Sequence, residues 1–170
     1  MTFLNFMYGD VNVLLSLKTL AIAMFATILA PAGTQVKSHV TWQVTSVRLN
    51  DSEALISFTA VIDKDWHIYS QKTNRDIPTP TQFGFTVSSE YELVDGVREE
   101  SSCMESTDLL FHGHLKRFEK YAVFTQKVKL KPAVTVIKGF IRFMACSNES
   151  LGQIETIQYS IGVKVRETQP

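Results

Sequence analysis

Apolar and polar residues alternate along most of the chain beyond about residue 38. The alternating sets are Val40, Trp42 and Val44; Ile56, Phe58, Ala60 and Ile62; Phe83, Phe85 and Val87; Ala122, Phe124, Gln126, Val128 and Leu130; Ile137, Gly139, Ile141 and Phe143; and Ile157, Tyr159, Ile161 and Val163. A period of two residues is typical of half-buried strands, and no comparable stretch has helical spacing. The pattern predicts an all-β fold, an immunoglobulin-like β-sandwich of about seven to eight antiparallel strands.

One segment interrupts this alternation. Residues 98–117 mix charged side chains with Leu109, Leu110 and Phe111 and show no period of two. A long irregular loop in a compact domain is often functional, so this segment is a candidate for a loop with a role of its own.

The first 32 residues have the pattern of a secretory signal. Lys18 precedes an uncharged run over residues 19–30, and Ala30-Pro31-Ala32 offers the small residues of a cleavage site. We therefore expect a signal peptide over residues 1–32, cleaved after Ala32, and an exported domain over residues 33–170, periplasmic or secreted. The alternative is a membrane anchor, for which the run is shorter than the roughly 20 residues that a spanning helix needs.

Composition narrows the function classes. The chain has 170 residues, and its 17 acidic and 17 basic residues leave no net charge. A single domain is expected, and no basic stripe suggests a nucleic-acid partner. No later segment is apolar enough to span a membrane after cleavage. The sequence indicates no cofactor and leaves the oligomeric state open.

Cys146 is the most distinctive candidate for chemistry. It follows the strand-like run over residues 139–145 and precedes the polar stretch over residues 147–150, and the only other cysteine is Cys103. A cysteine that leaves a strand for a polar loop in an exported protein is a candidate redox centre.

Several sequence words, in their order and spacing, resemble the amino-terminal domain of the DsbD thiol–disulfide interchange family. The words are Trp66-His67-Ile68-Tyr69-Ser70-Gln71, Pro78-Thr79-Pro80-Thr81-Gln82-Phe83, Tyr91-Glu92-Leu93-Val94, Phe111-His112-Gly113, Phe124-Thr125-Gln126-Lys127-Val128 and Gly139-Phe140-Ile141-Arg142-Phe143-Met144-Ala145-Cys146. The resemblance covers about residues 38–163 and implies the same immunoglobulin-like fold.

The resemblance also implies a site. In that family the domain passes electrons to periplasmic thioredoxin-like proteins through a cysteine pair, and Cys146 matches the first cysteine. Leu151 stands where the second is expected. Phe111 matches the phenylalanine of a cap loop that shields the pair, and His67 and Tyr69 match aromatic residues near the active site.

Two function hypotheses follow. In the first, the protein is an exported thiol–disulfide interchange module, with Cys146 as the reactive sulfur and Cys103 as its partner. If the family geometry holds, the segment that carries Cys103 passes over the Cys146 strand, and a bridge would close a loop of about 44 residues. In the second, the domain is a redox-inactive copy that keeps the sandwich and binds a thioredoxin-like or other exported protein. Its two cysteines are then either unpaired or joined by an inert structural bridge.

Two further sets of side chains have alternative interpretations. His67 and Tyr69, with Trp66, either line a partner surface or pack within the domain. His112 and His114 lie two residues apart and could meet a metal with Glu99, Glu100 or Cys103. Two histidines in a polar loop are more often solvated, so no metal is predicted.

Overall fold

The computed structural model describes residues 37–73, 79–108, 113–131 and 135–163. The predicted signal sequence over residues 1–32 lies outside the described residues. Ten strands and no helix are found in the described part of the chain. The strands are β1 (Val40–Asn50), β2 (Glu53–Ile62), β3 (Trp66–Tyr69), β4 (Gln82–Phe85), β5 (Tyr91–Glu99), β6 (Met104–Asp108), β7 (Gly113–Glu119), β8 (Tyr121–Leu130), β9 (Thr135–Ser147) and β10 (Leu151–Val163).

The strands form two antiparallel sheets that pack as a sandwich. One sheet has four strands in the order β1-β2-β8-β5, and the other has the order β10-β9-β3-β7-β6 with β4 also paired to β9. The predicted immunoglobulin-like sandwich is confirmed, with ten strands described instead of seven or eight. No helix within the described ranges has the length and apolar character to cross a membrane.

The main core lies between the two sheets. Most of it is formed by apolar members of the alternating sets, with Ile68 and Phe118 added from outside them, whereas Val87 lies beyond the end of β4 and is 98% exposed. Its largest fully buried members are Phe58, Phe118, Phe124, Phe143, Ile56, Ile68, Ile137, Ile141 and Val128. Phe124 is its aromatic centre, with ring centroids 4.9 Å from Phe83 and 5.4 Å from Phe118. Since alternate residues of each strand face this layer, the period of two in the sequence reflects the sandwich directly.

The segment over residues 98–117 differs from the prediction. It contains the end of β5, all of β6 and most of β7, and β6 pairs with β7 in antiparallel register. β6 is the outermost strand of its sheet, and Glu105 on it forms an ion pair of 2.8 Å with Lys116 at the surface. Side chains at an edge can stay in water, so this strand forms without the alternation that marks β2, β8 and β9.

Candidate functional site around Cys146

Cys146 lies near the end of β9, where three strands meet side by side. It is directly opposite His67 on β3 and directly opposite Leu151 on β10. Its neighbour Ala145 belongs to the main core between the sheets. Because successive side chains of a strand point to opposite faces, the thiol of Cys146 points to the outer face of the six-stranded sheet.

The outer face is nevertheless buried at this point. Tyr69, Leu115 and Cys146 are each 1% exposed and pack together, with Met144 against them. We call these four residues the outer cluster. His67 is buried beside them, and its Nε2 lies 3.1 Å from the hydroxyl of Tyr69. The thiol therefore sits in a packed, mainly apolar environment.

Hydrogen bonds fix the chain at Tyr69 and in the two residues that follow it. Its carbonyl accepts a bond of 2.6 Å from the Thr81 hydroxyl. The Glu99 carboxylate accepts bonds from the Ser70 hydroxyl, at 2.8 and 3.0 Å, and from the Gln71 amide, at 2.8 Å. Hydrogen bonds to a charged acceptor are among the stronger ones, so this carboxylate anchors the turn that follows β3.

An ion pair borders the outer cluster on β7. Arg117 is opposite Tyr69 and Glu119 is opposite His67, and their side chains meet at 2.9 Å between Nη2 and Oε1. The Nε of Arg117 is buried, and it has no hydrogen-bond partner among the described residues. A polar border of this kind limits how far the apolar cluster extends across the sheet.

Cys103 lies elsewhere in the fold. It directly precedes β6 and packs against the main core, on the opposite side of the sheet from Cys146. β7 and β3 separate β6 from β9, which places about 14 Å across the sheet between the two chain segments at about 4.8 Å per strand. A disulfide needs Cα atoms within about 7 Å. The structure does not bring the two cysteines together, and both thiols are free.

Leu151 occupies the position that faces Cys146 across the β9–β10 hairpin. The Ser147 amide donates to the Ser150 carbonyl at 2.9 Å, which closes the turn one pair farther out. The next pair, Cys146 and Leu151, is then of the non-hydrogen-bonded kind, in which Cα atoms lie about 4.5 Å apart. Leu151 is 56% exposed, so an apolar side chain stands where the resemblance expects the second sulfur.

Gly152 is required for the close packing of this hairpin, and the sequence analysis did not identify it. A Cβ atom added there would lie 1.8 Å from the carbonyl oxygen of Ala145. No side chain fits at position 152, so position 151 is the one of the two that could carry a sulfur opposite Cys146. A glycine just after the polar stretch over residues 147–150 was the available signal, because such a glycine often marks a close approach of two backbones.

The remaining predicted site residues have different outcomes. Phe111 and His112 lie outside the described residues, and the side chain of His114 is not described. His67 and Tyr69 are both buried, and neither presents a contact surface by itself. Among the side chains that the structure describes, no three His, Cys, Asp or Glu residues converge to hold a metal ion.

Comparisons with known proteins address the fold. No protein-family model matches the chain, and neither does any curated protein. The amino-terminal periplasmic domain of ScsB from Proteus mirabilis has a similar structure, with a TM-score of 0.55 and 16% identity, over 77% of this chain and 48% of that one. The chain thus spans about half the length of the ScsB structure.

Two structures that contain DsbD are also similar. The reduced amino-terminal domain of DsbD from Neisseria meningitidis has a TM-score of 0.45 and 12% identity, over 71% of this chain and 83% of that one. A complex of the DsbD and PilB amino-terminal domains from the same organism has a TM-score of 0.42 and 12% identity, over 80% and 87%. At these identities the shared feature is the fold: this chain is an immunoglobulin-like β-sandwich similar to the amino-terminal domains of ScsB and DsbD.

Proposed function

We propose that the protein is an exported immunoglobulin-like module that binds another exported protein and performs no internal dithiol–disulfide exchange. The observation that carries this proposal is the pairing of Cys146 with Leu151, together with the position of Cys103 on the opposite side of the sheet. The β-sandwich and Cys146 correspond to features of the thiol–disulfide interchange domains that the sequence resembles. Among the described residues, no second cysteine sulfur lies within disulfide distance of Cys146.

The chemistry of exchange explains why the second sulfur matters. A thiolate attacks a partner disulfide, a mixed disulfide forms, and a second thiolate of the same protein must attack the first sulfur to release the reduced partner. With Leu151 opposite Cys146, the hairpin supplies no second thiolate. Cys146 is also 1% exposed, which hinders the first attack.

The surface next to Cys146 supports a binding role. Leu151 is 56% exposed and Ile154 is 45% exposed, and both lie on β10 at the hairpin end of the six-stranded sheet. Ile154 is opposite Met144, so this exposed apolar surface is continuous with the outer cluster. Exposed apolar residues grouped around a packed cluster are typical of a contact site, whereas single ones are common on any surface.

A thiol count tests the absence of the dithiol. The exported protein is denatured without reductant, alkylated and weighed intact. We expect both cysteines to carry the label. A mass that lacks both labels and is lower by two hydrogens would show a Cys103–Cys146 bridge and contradict the proposal.

A capture experiment tests the binding role. Immobilised wild-type protein and its Cys146→Ala variant are incubated with exported proteins, and the bound fraction is eluted first with salt and then with reductant. We expect the same protein from both columns in the salt fraction. A partner that needs Cys146 and elutes with reductant alone would instead support thiol–disulfide interchange through a single cysteine.

A further inference from the structure

β10 has one free side along most of its length. It is the end strand of its sheet, and no described strand pairs with its other edge. The Ser46 hydroxyl of β1 donates to the Gly162 carbonyl at 3.0 Å, near the end of β10 and beyond residues 154–158. The Thr86 amide donates to the Lys138 carbonyl, at 2.8 Å, so the peptide groups of Lys138 point toward β4 and away from β10. Because this direction alternates, the even-numbered residues Ile154, Thr156 and Gln158 of β10 direct their amide and carbonyl groups to the free edge.

This edge lacks the features that usually prevent strand addition. β10 contains no lysine, arginine or proline and a single charged residue, Glu155. β10 has a register shift against β9 between Leu151 and Ile154, and from Ile154 onward its pairing is regular. The edge strand β5, in contrast, is interrupted in its middle by a register shift between Val94 and Arg98, with Asp95 at φ 59°. β6 is only five residues long. A smooth strand with unpaired peptide groups is a template for an additional strand.

Positive side chains on the outer face of the six-stranded sheet favour an acidic segment at this edge. Lys138 and Arg142 project from β9 on the same face as Phe140, and Arg142 is opposite Thr156 of β10. Neither cation forms an ion pair with any described residue. The outward positions of β9, β10 and β4 include no acidic residue. This face is therefore positive and complements a carboxylate.

We propose that the edge of β10 over residues 154–158 binds an extended, acidic segment of the partner protein as an additional strand of the six-stranded sheet. The inference rests on the proposed binding function and names the chemistry of the partner. Backbone hydrogen bonds join the segment to Ile154, Thr156 and Gln158. Arg142 recognises a carboxylate that lies opposite Thr156.

The distances allow this recognition. The added strand lies two strand spacings from β9, or about 9.6 Å. An extended arginine side chain and a glutamate side chain together span that separation across the small side chain of Thr156. Two positions away, Ile154 and Met144 offer an apolar contact, so a segment with an acidic residue flanked at a spacing of two by apolar residues fits best.

Two other arrangements fit less well. β1 is also a long edge strand, but the outward positions of β1 and its neighbour β2 include Thr41, Gln43, Ser57 and Thr59, which offer no cation. A second copy of this chain could pair through its own β10. The β10 strand of the second copy would place neutral side chains such as Thr156 opposite the edge of the first copy. Lys138 and Arg142 would then have no acidic partner.

Peptide binding tests the proposal. The probes are a fluorescent Ser-Val-Thr-Glu-Thr-Val-Ser peptide and its counterpart with Gln for Glu, titrated with the exported protein and followed by fluorescence anisotropy. We expect the Glu peptide to bind wild-type protein about three- to fivefold more tightly than the Gln peptide, as for an exposed ion pair, and the difference to shrink with salt. Arg142→Gln should make the two peptides equal.

A matched pair of variants tests the edge itself. Thr156→Pro removes an amide that points to the free edge and leaves the bonds between β10 and β9 in place. Thr156→Ala changes the same side chain and keeps the amide. We expect Thr156→Pro to abolish binding of both peptides and Thr156→Ala to retain it, with equal thermal unfolding midpoints showing that both variants fold.

Several results would overturn the proposal. These are equal affinity of wild-type protein for the two peptides, no binding of either, or equal binding by the two Thr156 variants. A wild-type dimer that Thr156→Pro converts to a monomer would assign the edge to a second copy. If Thr156→Pro still captures the partner in the earlier experiment, the edge proposal fails while the proposed binding function stands.

Discussion

The six-stranded sheet has an apolar cluster on each face, and the two clusters differ in size and chemistry. The main core fills the space between the sheets with phenylalanine, isoleucine and valine. The outer cluster consists of Tyr69, Leu115, Met144 and Cys146. Adjacent residues of β3 and of β9 face different clusters. Ile68 and Ala145 face the main core, whereas Tyr69 and Cys146 face outward. Each cluster holds one thiol: Cys146 is fully packed in the outer cluster, and the half-buried Cys103 lies against the main core.

The largest effect should come from truncating the aromatic centre of the main core. Phe124→Ala removes a fully buried ring that contacts Trp42, Phe83 and Phe118. We expect the free energy of unfolding to fall by about 3–5 kcal/mol, as is usual for a buried phenylalanine. Chemical denaturation followed by tryptophan fluorescence measures it.

An exposed residue on the same strand provides the control. Tyr121 is 61% exposed, and Tyr121→Ala should change the free energy of unfolding by less than about 0.5 kcal/mol. Equal losses for the two variants would show that the two sheets are not held together by this aromatic layer.

A second sulfur would turn the outer cluster into a dithiol site. Leu151→Cys places a thiol directly opposite Cys146 at a non-hydrogen-bonded pair. We expect a disulfide to form on oxidation and to raise the free energy of unfolding by about 2 kcal/mol, the chain-entropy value for a loop of about six residues. The unfolding midpoint with and without reductant measures this gain.

The neighbouring position provides the contrast. Gly152→Ala forces a Cβ against the Ala145 carbonyl and should destabilise the protein by about 1–3 kcal/mol. If Leu151→Cys stays reduced under conditions that oxidise ordinary cross-strand pairs, position 151 does not lie opposite Cys146 in the hairpin.

Replacing the thiol itself should have a smaller effect. Cys146 packs as a small apolar residue, so Cys146→Ser buries a hydroxyl in the outer cluster and should cost about 1–2 kcal/mol. Cys146→Ala leaves no polar group behind and should cost less. The same two changes at the half-buried Cys103 provide the reference. A larger loss of stability at Cys103 than at Cys146 would contradict the assignment of Cys146 as the more tightly packed thiol.

The main core was predictable from the sequence because the alternation of apolar and polar residues that reveals it can be read within each strand. Phe58, Phe124 and Ile141 each stand in an alternating run, and a strand with one face in the core must alternate. β6 was not predictable in this way, since an edge strand with charged side chains carries no such pattern. β6 is held in the sheet by its pairing with β7, and the strand propensity of its residues does not indicate that pairing.

The site was only partly predictable for a related reason. The position of Cys146 at the end of a strand could be inferred from the sequence pattern, whereas Leu151 as its counterpart followed only from the resemblance to the DsbD domain. The face to which Cys103 points depends on register through three strand pairings, and no local pattern encodes that. The burial of His67 and Tyr69 on the outward face runs against the alternation rule, so a periodic pattern could not reveal it.

The smallest effect compares one hydroxyl in each cluster. Tyr69→Phe removes the hydroxyl that lies 3.1 Å from His67 in the outer region, and Tyr159→Phe removes one that donates to the Gly84 carbonyl at 3.1 Å beside the main core. Burial, and then the nearby Tyr91, raises the pKa of the Tyr159 hydroxyl above its ordinary value, so it remains a donor at neutral pH. Each change should lower the free energy of unfolding by about 1 kcal/mol, the usual net worth of a buried hydrogen bond. Differential scanning calorimetry of the two variants side by side measures this. A clear loss for Tyr159→Phe with none for Tyr69→Phe would show that the outer cluster is held less firmly than the core behind it, as a surface that adapts to a partner would be.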